Sequence, residues 1–164
     1  VPAGLGSHVH WDRKLDGRIA QAMMSIPSVK GVSIGDAFQI ARSLGSQAHD
    51  EIYYESGQGF YRKTNRSGGT EGGITTGQDL RILLAFKPLS TLMKPLMSVD
   101  IVTRQQEAAV VERSDVCAVP AGGVVAEAML SLVLTDALLE KFSSDTLPDL
   151  QEALEAYRKR LAGS

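Results

Sequence analysis

Lys87-Pro88-Leu89-Ser90-Thr91 places one ammonium and two hydroxyls directly after an apolar run. Lysine supplies a compact positive charge and the hydroxyls supply donors, a set that can hold a phosphate at a strand end. An ordinary exit from a strand into a turn explains the same residues. Arg113-Ser114-Asp115-Val116-Cys117 is a second candidate. An arginine two residues before an aspartate is either a plain ion pair or an anion grip beside a group that handles a proton. A third is Ser67-Gly68-Gly69-Thr70-Glu71-Gly72-Gly73, within a stretch from Gly57 to Gly77 where seven of 21 residues are glycine. Paired glycines let a backbone approach a flat or phosphorylated ligand with its N–H groups exposed. The spacing is neither a P-loop nor the dinucleotide pattern GxGxxG, and a turn between strands accounts for it equally.

Other reactive side chains are fewer. His8, His10 and His49 are the only histidines. His8-Val9-His10 has no evident third ligand, so no metal site is expected. Cys117 has apolar neighbours and no histidine close in sequence, which predicts a buried, unreactive thiol. Asp50-Glu51 reads as a surface pair.

These groups need elements to position them. Leu15, Ile19, Ala22, Met23 and Ile26 recur at three- and four-residue steps and predict a helix over Arg13–Ile26, ended by Pro27. A strand over Val29–Ile34 follows. Asp36 then starts a short helix through Leu44, with Gly45 as its stop. Leu80–Phe86, Met97–Thr103 and Ala108–Glu112 read as strands. Val124–Phe142 predicts a helix apolar on nearly every face, to be buried by other elements or by a partner subunit, so the chain is expected to self-associate. Glu127 and Asp136 interrupt it, and the stretch reads as too short for a membrane span. A last amphipathic helix runs over Pro148–Leu161. There is no strict βαβ alternation, so the expected class is α+β.

The chain has 164 residues, enough for one domain or for part of a larger one. Its net charge of -2 argues against general nucleic-acid binding. One cysteine excludes an intrachain disulfide and a Cys-based zinc site, and fits a cytoplasmic setting. The chain begins Val1-Pro2-Ala3-Gly4, which predicts a piece of a longer polypeptide.

Taken together, these segments resemble the chorismate synthase family. Gly4-Leu5-Gly6, Met23-Met24-Ser25-Ile26, Val29-Lys30-Gly31-Val32 and Ile34-Gly35-Asp36 resemble one family block, continued by Gly45-Ser46 and Asp50-Glu51. Asn65 to Gly73 resembles the family's TN-x-x-GG-x-x-GG loop. Lys87-Pro88 resembles its flavin-phosphate segment, and Arg113 to Cys117 with Glu127 its C-terminal signature. The resemblance covers nearly all of this chain but only the C-terminal part of the family's length.

The resemblance implies a β-α-β sandwich and a homotetramer. It implies removal of phosphate and a proton from 5-enolpyruvylshikimate 3-phosphate, an anti-1,4-elimination that gives chorismate and ends the shikimate pathway. Reduced FMN is the implied cofactor, with NADPH associated. Pro27 and Ser28 match FMN contacts, where the family usually carries Asn-Ala or Gln-Ala. Gly72 matches a glycine against the flavin. Lys87, Pro88, Leu89, Ser90 and Thr91 match phosphate and ribityl contacts. Arg113 matches an arginine near flavin and substrate, and Asp115 an aspartate that manages the proton on flavin N5. The family's two catalytic histidines and most of its substrate-phosphate arginines belong to its N-terminal part, and no histidine here lies in a matching segment. The alternative reading is a folded, oligomerising piece without turnover. The expected partners are a small-molecule substrate and copies of the chain, with no nucleic acid and no membrane.

Overall fold

The computed structural model describes residues 1–113 and 115–162. In chain order the elements are α1 (Leu15–Met24), β1 (Val29–Ile34), α2 (Ala37–Ile40), α3 (Gly45–Ala48), β2 (Ile52–Glu55), β3 (Gly59–Arg62), β4 (Thr70–Glu71), β5 (Ile74–Thr75), β6 (Ile82–Phe86), β7 (Met97–Val99), β8 (Gln106–Ala108), α4 (Val119–Phe142) and α5 (Leu147–Ala162). All strand pairs are antiparallel: β1 with β6, β2 with β3, β4 with β5 and β7 with β8. Helices and small antiparallel sheets make the chain α+β, as its pattern predicts.

The four-residue spacing of Leu15, Ile19 and Met23 puts all three on one face of α1, and each is fully buried. That face meets the β1–β6 ladder and α4. Val32, Ile34, Ile82, Leu84 and Phe86 close the core from the sheet side. Ala126, Met129, Leu130, Val133, Leu134, Ala137 and Leu138, spaced at a helical period, close it from α4. Arg18 of α1 pairs with Asp136 and Glu140 of α4, so these two carboxylates lie on the side facing α1. The N-terminal segment is tied down by main-chain bonds: Gly4 N–H to Thr75 O at 2.7 Å and Thr75 N–H to Leu5 O at 3.0 Å. Thr75 Oγ1 accepts the Leu5 N–H at 2.8 Å, and the Tyr157 hydroxyl of α5 donates to Ala3 O at 3.1 Å.

Four expectations are corrected. Gly45 does not stop a helix; it is the first residue of α3. The glycine-rich stretch is not all loop, because β3, β4 and β5 lie in it. The last predicted strand sits at Gln106–Ala108 rather than Ala108–Glu112. The long helix begins at Val119, and its 24 residues, whose most apolar 18 have a mean hydropathy of 1.6, are long and apolar enough to cross a membrane. Length and composition alone do not separate such a span from a packing helix, and α4 packs one face on α1 and the β1–β6 ladder.

The other face of α4 is open. Leu132 is 66% exposed and Val124 68%, whereas Ala137 is 1% exposed. Burial of the whole helix is therefore not achieved by this chain alone. In the 164-residue chain, Leu132→Asp should shift stability by no more than about 0.5 kcal/mol, the range of surface changes. Ala137→Asp should cost several kcal/mol, because it strands a carboxylate against α1. Thermal melts of the two variants check this.

Candidate functional site

The end of β6 carries the chain into Lys87, and the residues before α4 return to the same place. Phe86, Lys87, Pro88, Leu89 and Leu92 line one wall of a cleft of about 460 Å³. Asp115, Val116, Cys117, Ala118 and Val119 line the other. Two segments more than twenty residues apart thus bring a lysine and an aspartate to one apolar-walled cleft. Ser90 and Thr91 continue the loop beyond it, Ser90 exposed and Thr91 half-buried.

Ser28 joins this cluster from behind. Its carbonyl accepts the Lys87 N–H at 2.7 Å, extending the β1–β6 ladder by one bond. Ser28 holds φ at +70°, a left-handed conformation that a serine adopts at a cost of roughly 1–2 kcal/mol. Pro27 before it is exposed. Gly72 lies elsewhere. With Gly73 it forms the two-residue turn between β4 and β5, with φ of +62° and +93°, the signs a type I′ hairpin requires. Gly73 O accepts the N–H of Leu15, so this turn sits at the start of α1, whereas Pro27 and Ser28 follow its end. The structure brings Ser28, Lys87, Pro88, Leu89 and Asp115 into one neighbourhood, with Pro27 preceding Ser28 in the chain, and leaves Gly72 outside it.

Arg113 clasps Asp115 with both ends of its guanidinium, Nε to Oδ1 at 2.6 Å and Nη2 to Oδ2 at 3.1 Å. Ser114, between them, lies outside the described residues. The Arg113 hydrogen bonds hold the Asp115 carboxyl below the usual carboxylate range, and Asp115 in turn raises Arg113. Both side chains are open to water. Cys117 is exposed, which corrects the expectation of a buried thiol: its apolar neighbours line an open cleft. Glu127 lines an adjoining, mostly apolar cavity of about 370 Å³ between β6 and α4. Among the described residues, no group of three His, Cys, Asp or Glu side chains could hold a metal ion.

One residue of consequence was not legible in the sequence. Asp50 is buried, its side chain 1% exposed, not at the surface. Its Oδ1 accepts the Thr64 hydroxyl at 2.5 Å and the Arg66 N–H at 2.9 Å, and its Oδ2 accepts the Ser67 N–H at 2.9 Å. Burial by itself pushes this carboxyl up, but the hydrogen bonds from Ser67, Thr64 and Arg66 outweigh it and hold it well below the usual range. A carboxyl depressed in the folded state adds stability that is complete above its unfolded pKa of about 4 and is lost as pH falls through the folded value. The melting temperature should therefore fall on acidification from about pH 5 to pH 3, and Asp50→Asn should flatten that fall.

The chain can now be set beside known proteins. The chorismate synthase family model matches residues 1–139. This chain belongs to the chorismate synthase family. The chorismate synthase of Moorella thermoacetica is 62% identical over 161 residues, covering 98% of this chain and 42% of the relative. A chorismate synthase of Thermus thermophilus is 58% identical over 158 residues, covering 96% and 41%. A crystal structure of chorismate synthase superposes with a TM-score of 0.82 at 45% identity, covering all of this chain and 41% of that one. The chain thus spans about two fifths of the length of these chorismate synthases, and the α+β architecture described above is part of theirs.

Proposed function

We propose that this chain is the C-terminal part of a chorismate synthase that converts 5-enolpyruvylshikimate 3-phosphate into chorismate. Phosphate leaves and a proton is removed across the conjugated system, a 1,4-anti elimination with no net oxidation. Family membership supports the reaction class. The observation that carries the site reading is the single cleft shared by Lys87, Pro88, Leu89 and Asp115.

The residues present fit reduced FMN. Lys87 offers a cation, Ser90 and Thr91 offer hydroxyls beside it, and Phe86, Pro88, Leu89 and Val116 offer apolar walls suited to a flat ring. When bound, reduced FMN supplies transient electron density as phosphate leaves. Lys87, Ser90 and Thr91 then hold the phosphate arm, and the Ser28 backbone fixes the position of Lys87. Pro27, in place of an amide-bearing side chain, leaves contact there to carbonyls and ring carbons. Gly72, on the turn at the start of α1, would contact the flavin as the family resemblance implies. Arg113 attracts the anionic substrate, and Asp115 accepts a proton at its carboxylate oxygens. Proton acceptors and phosphate-binding arginines from the rest of the family's length complete the site. The working form is a cytoplasmic homotetramer that binds small molecules only, with the open face of α4 covered in the complete assembly.

Anaerobic assay decides it. The full-length protein carrying this chain should form chorismate and release phosphate only with reduced FMN. The 164-residue chain alone should form none, and turnover by it would show that the missing length is dispensable.

A further inference from the structure

The glycine-rich loop is shaped by one carboxylate. Asp50 stands between α3 and β2, some fifteen residues before the loop. Its two oxygens collect donors from three loop residues, Thr64, Arg66 and Ser67. Its main-chain oxygen accepts a hydrogen bond from the Arg62 guanidinium, and the other end of that guanidinium donates to Glu71 at 2.7 Å. Glu71 is the residue before Gly72. Asp50 thus fixes the loop at its base through its side chain and at its tip through Arg62. The Arg66 guanidinium, 3.9 Å away, is the one cation paired with the carboxylate among the described residues.

The donor set requires a carboxylate. One oxygen meets a hydroxyl and an N–H, and the other meets an N–H. An asparagine presents its own NH₂ to an N–H donor whichever way it is turned. A buried polar group left without a partner is expensive, so the arrangement discriminates strongly against the amide.

We propose that Asp50 is a positioning residue for flavin binding: its carboxylate sets the 64–73 loop and thereby the Gly72 turn. This rests on the flavin-binding reading above. Asp50 touches neither cofactor nor substrate in this account; it acts through the loop.

Full-length enzyme provides the test, with FMN as the titrant and amide exchange as a second readout. Asp50→Asn should speed exchange at Arg66, Ser67 and Gly72 and weaken FMN binding by about tenfold or more, the size of one lost charge-assisted hydrogen bond. Turnover at saturating reduced FMN should remain near wild type, so the loss is in affinity rather than kcat. Thr64→Val, which removes one donor and keeps the charge, should show a smaller effect, and Thr64→Ser should restore wild-type affinity. Ile19→Val, a core truncation away from the loop, should lower the melting temperature without changing FMN affinity. If Asp50→Asn loosens the loop but binds FMN normally, or leaves loop exchange unchanged, the proposal is overturned. Where Asp50→Asn does not fold, the Thr64 pair decides: equal FMN affinity in Thr64→Val and wild type overturns it. A wild-type enzyme that does not bind FMN refutes the functional reading, and the loop-fixing role then stands or falls on the exchange rates alone.

Discussion

Asp115→Asn is expected to lower turnover of the full-length enzyme by about 10²-fold or more, the usual size for loss of a general base. Asparagine is nearly isosteric but cannot accept a proton at neutral pH. The structure favours Asp115 for this role on two grounds. It lines the same cleft as Lys87. The Arg113 clasp also keeps it ionised, since hydrogen bonds to the charged form hold its carboxyl down. FMN affinity should change little, because Lys87, Ser90 and Thr91, the residues proposed to hold its phosphate, are untouched. Lys87→Ala should show the reverse: weak FMN binding, with turnover largely restored at high FMN. Kinetics at saturating reduced FMN separate the two. Near-normal turnover in Asp115→Asn would reduce Asp115 to a structural partner of Arg113.

Gly68→Ala should cost about 4 kcal/mol or more, in the exceptional tail of single substitutions. Gly68 holds φ at +68°, and a Cβ there would land on the backbone of Gly35. Gly35, at the end of β1, has φ of +59° and is blocked in the same way by Arg66 and Ser67. The two backbones cross with no room for a methyl on either, and neither can withdraw without breaking the Gly35 N–H to Arg81 O bond at 2.8 Å or the Asp36 N–H to Arg66 O bond at 2.8 Å. Gly72→Ala is the control. Its φ of +62° is also left-handed, but nothing lies within 4 Å of the added carbon. Its cost should be only the backbone term of roughly 1–2 kcal/mol. Equal melting temperatures for the two variants would contradict the crossing.

Much of the fold was legible because it is local. The spacing of Leu15, Ile19 and Met23 specified α1 and its buried face, and Val29–Ile34 was read with correct bounds. Lys87, Arg113 and Asp115 stood out as candidates because charged groups next to apolar runs are conspicuous, and the fold brings Lys87 and Asp115 to one cleft. What the sequence hid is relational. Pro120, Gly122 and Gly123 look like helix breakers, yet proline is tolerated in a first turn, so α4 starts five residues early. Strands of two residues, such as β4 and β5, are too short for an alternating pattern to show. Asp50 beside Glu51 looks like any solvated acidic pair. Its burial depends on donors 14 to 17 residues downstream, which only the folded loop brings back. Cys117 failed for the opposite reason, because apolar neighbours signal burial only where another element covers them.

The anchoring of the first residues bears on how the chain acquires its structure. Leu5 is a core residue, but the side chain that caps its N–H is 70 positions later, and the tyrosine that ties down Ala3 is 154 positions later. A chain synthesised from its N-terminus therefore cannot cap Leu5 until Thr75 has emerged, nor latch Ala3 until Tyr157 has. At ribosomal rates of about 5–20 residues per second, the interval between those two events is roughly 4–16 s. Closing loops of that length must precede the contacts that reward it, so these two ties form after the local helices. Until residue 142 has emerged within that interval, the apolar stripe of α1 is complete and has no finished α4 to receive it.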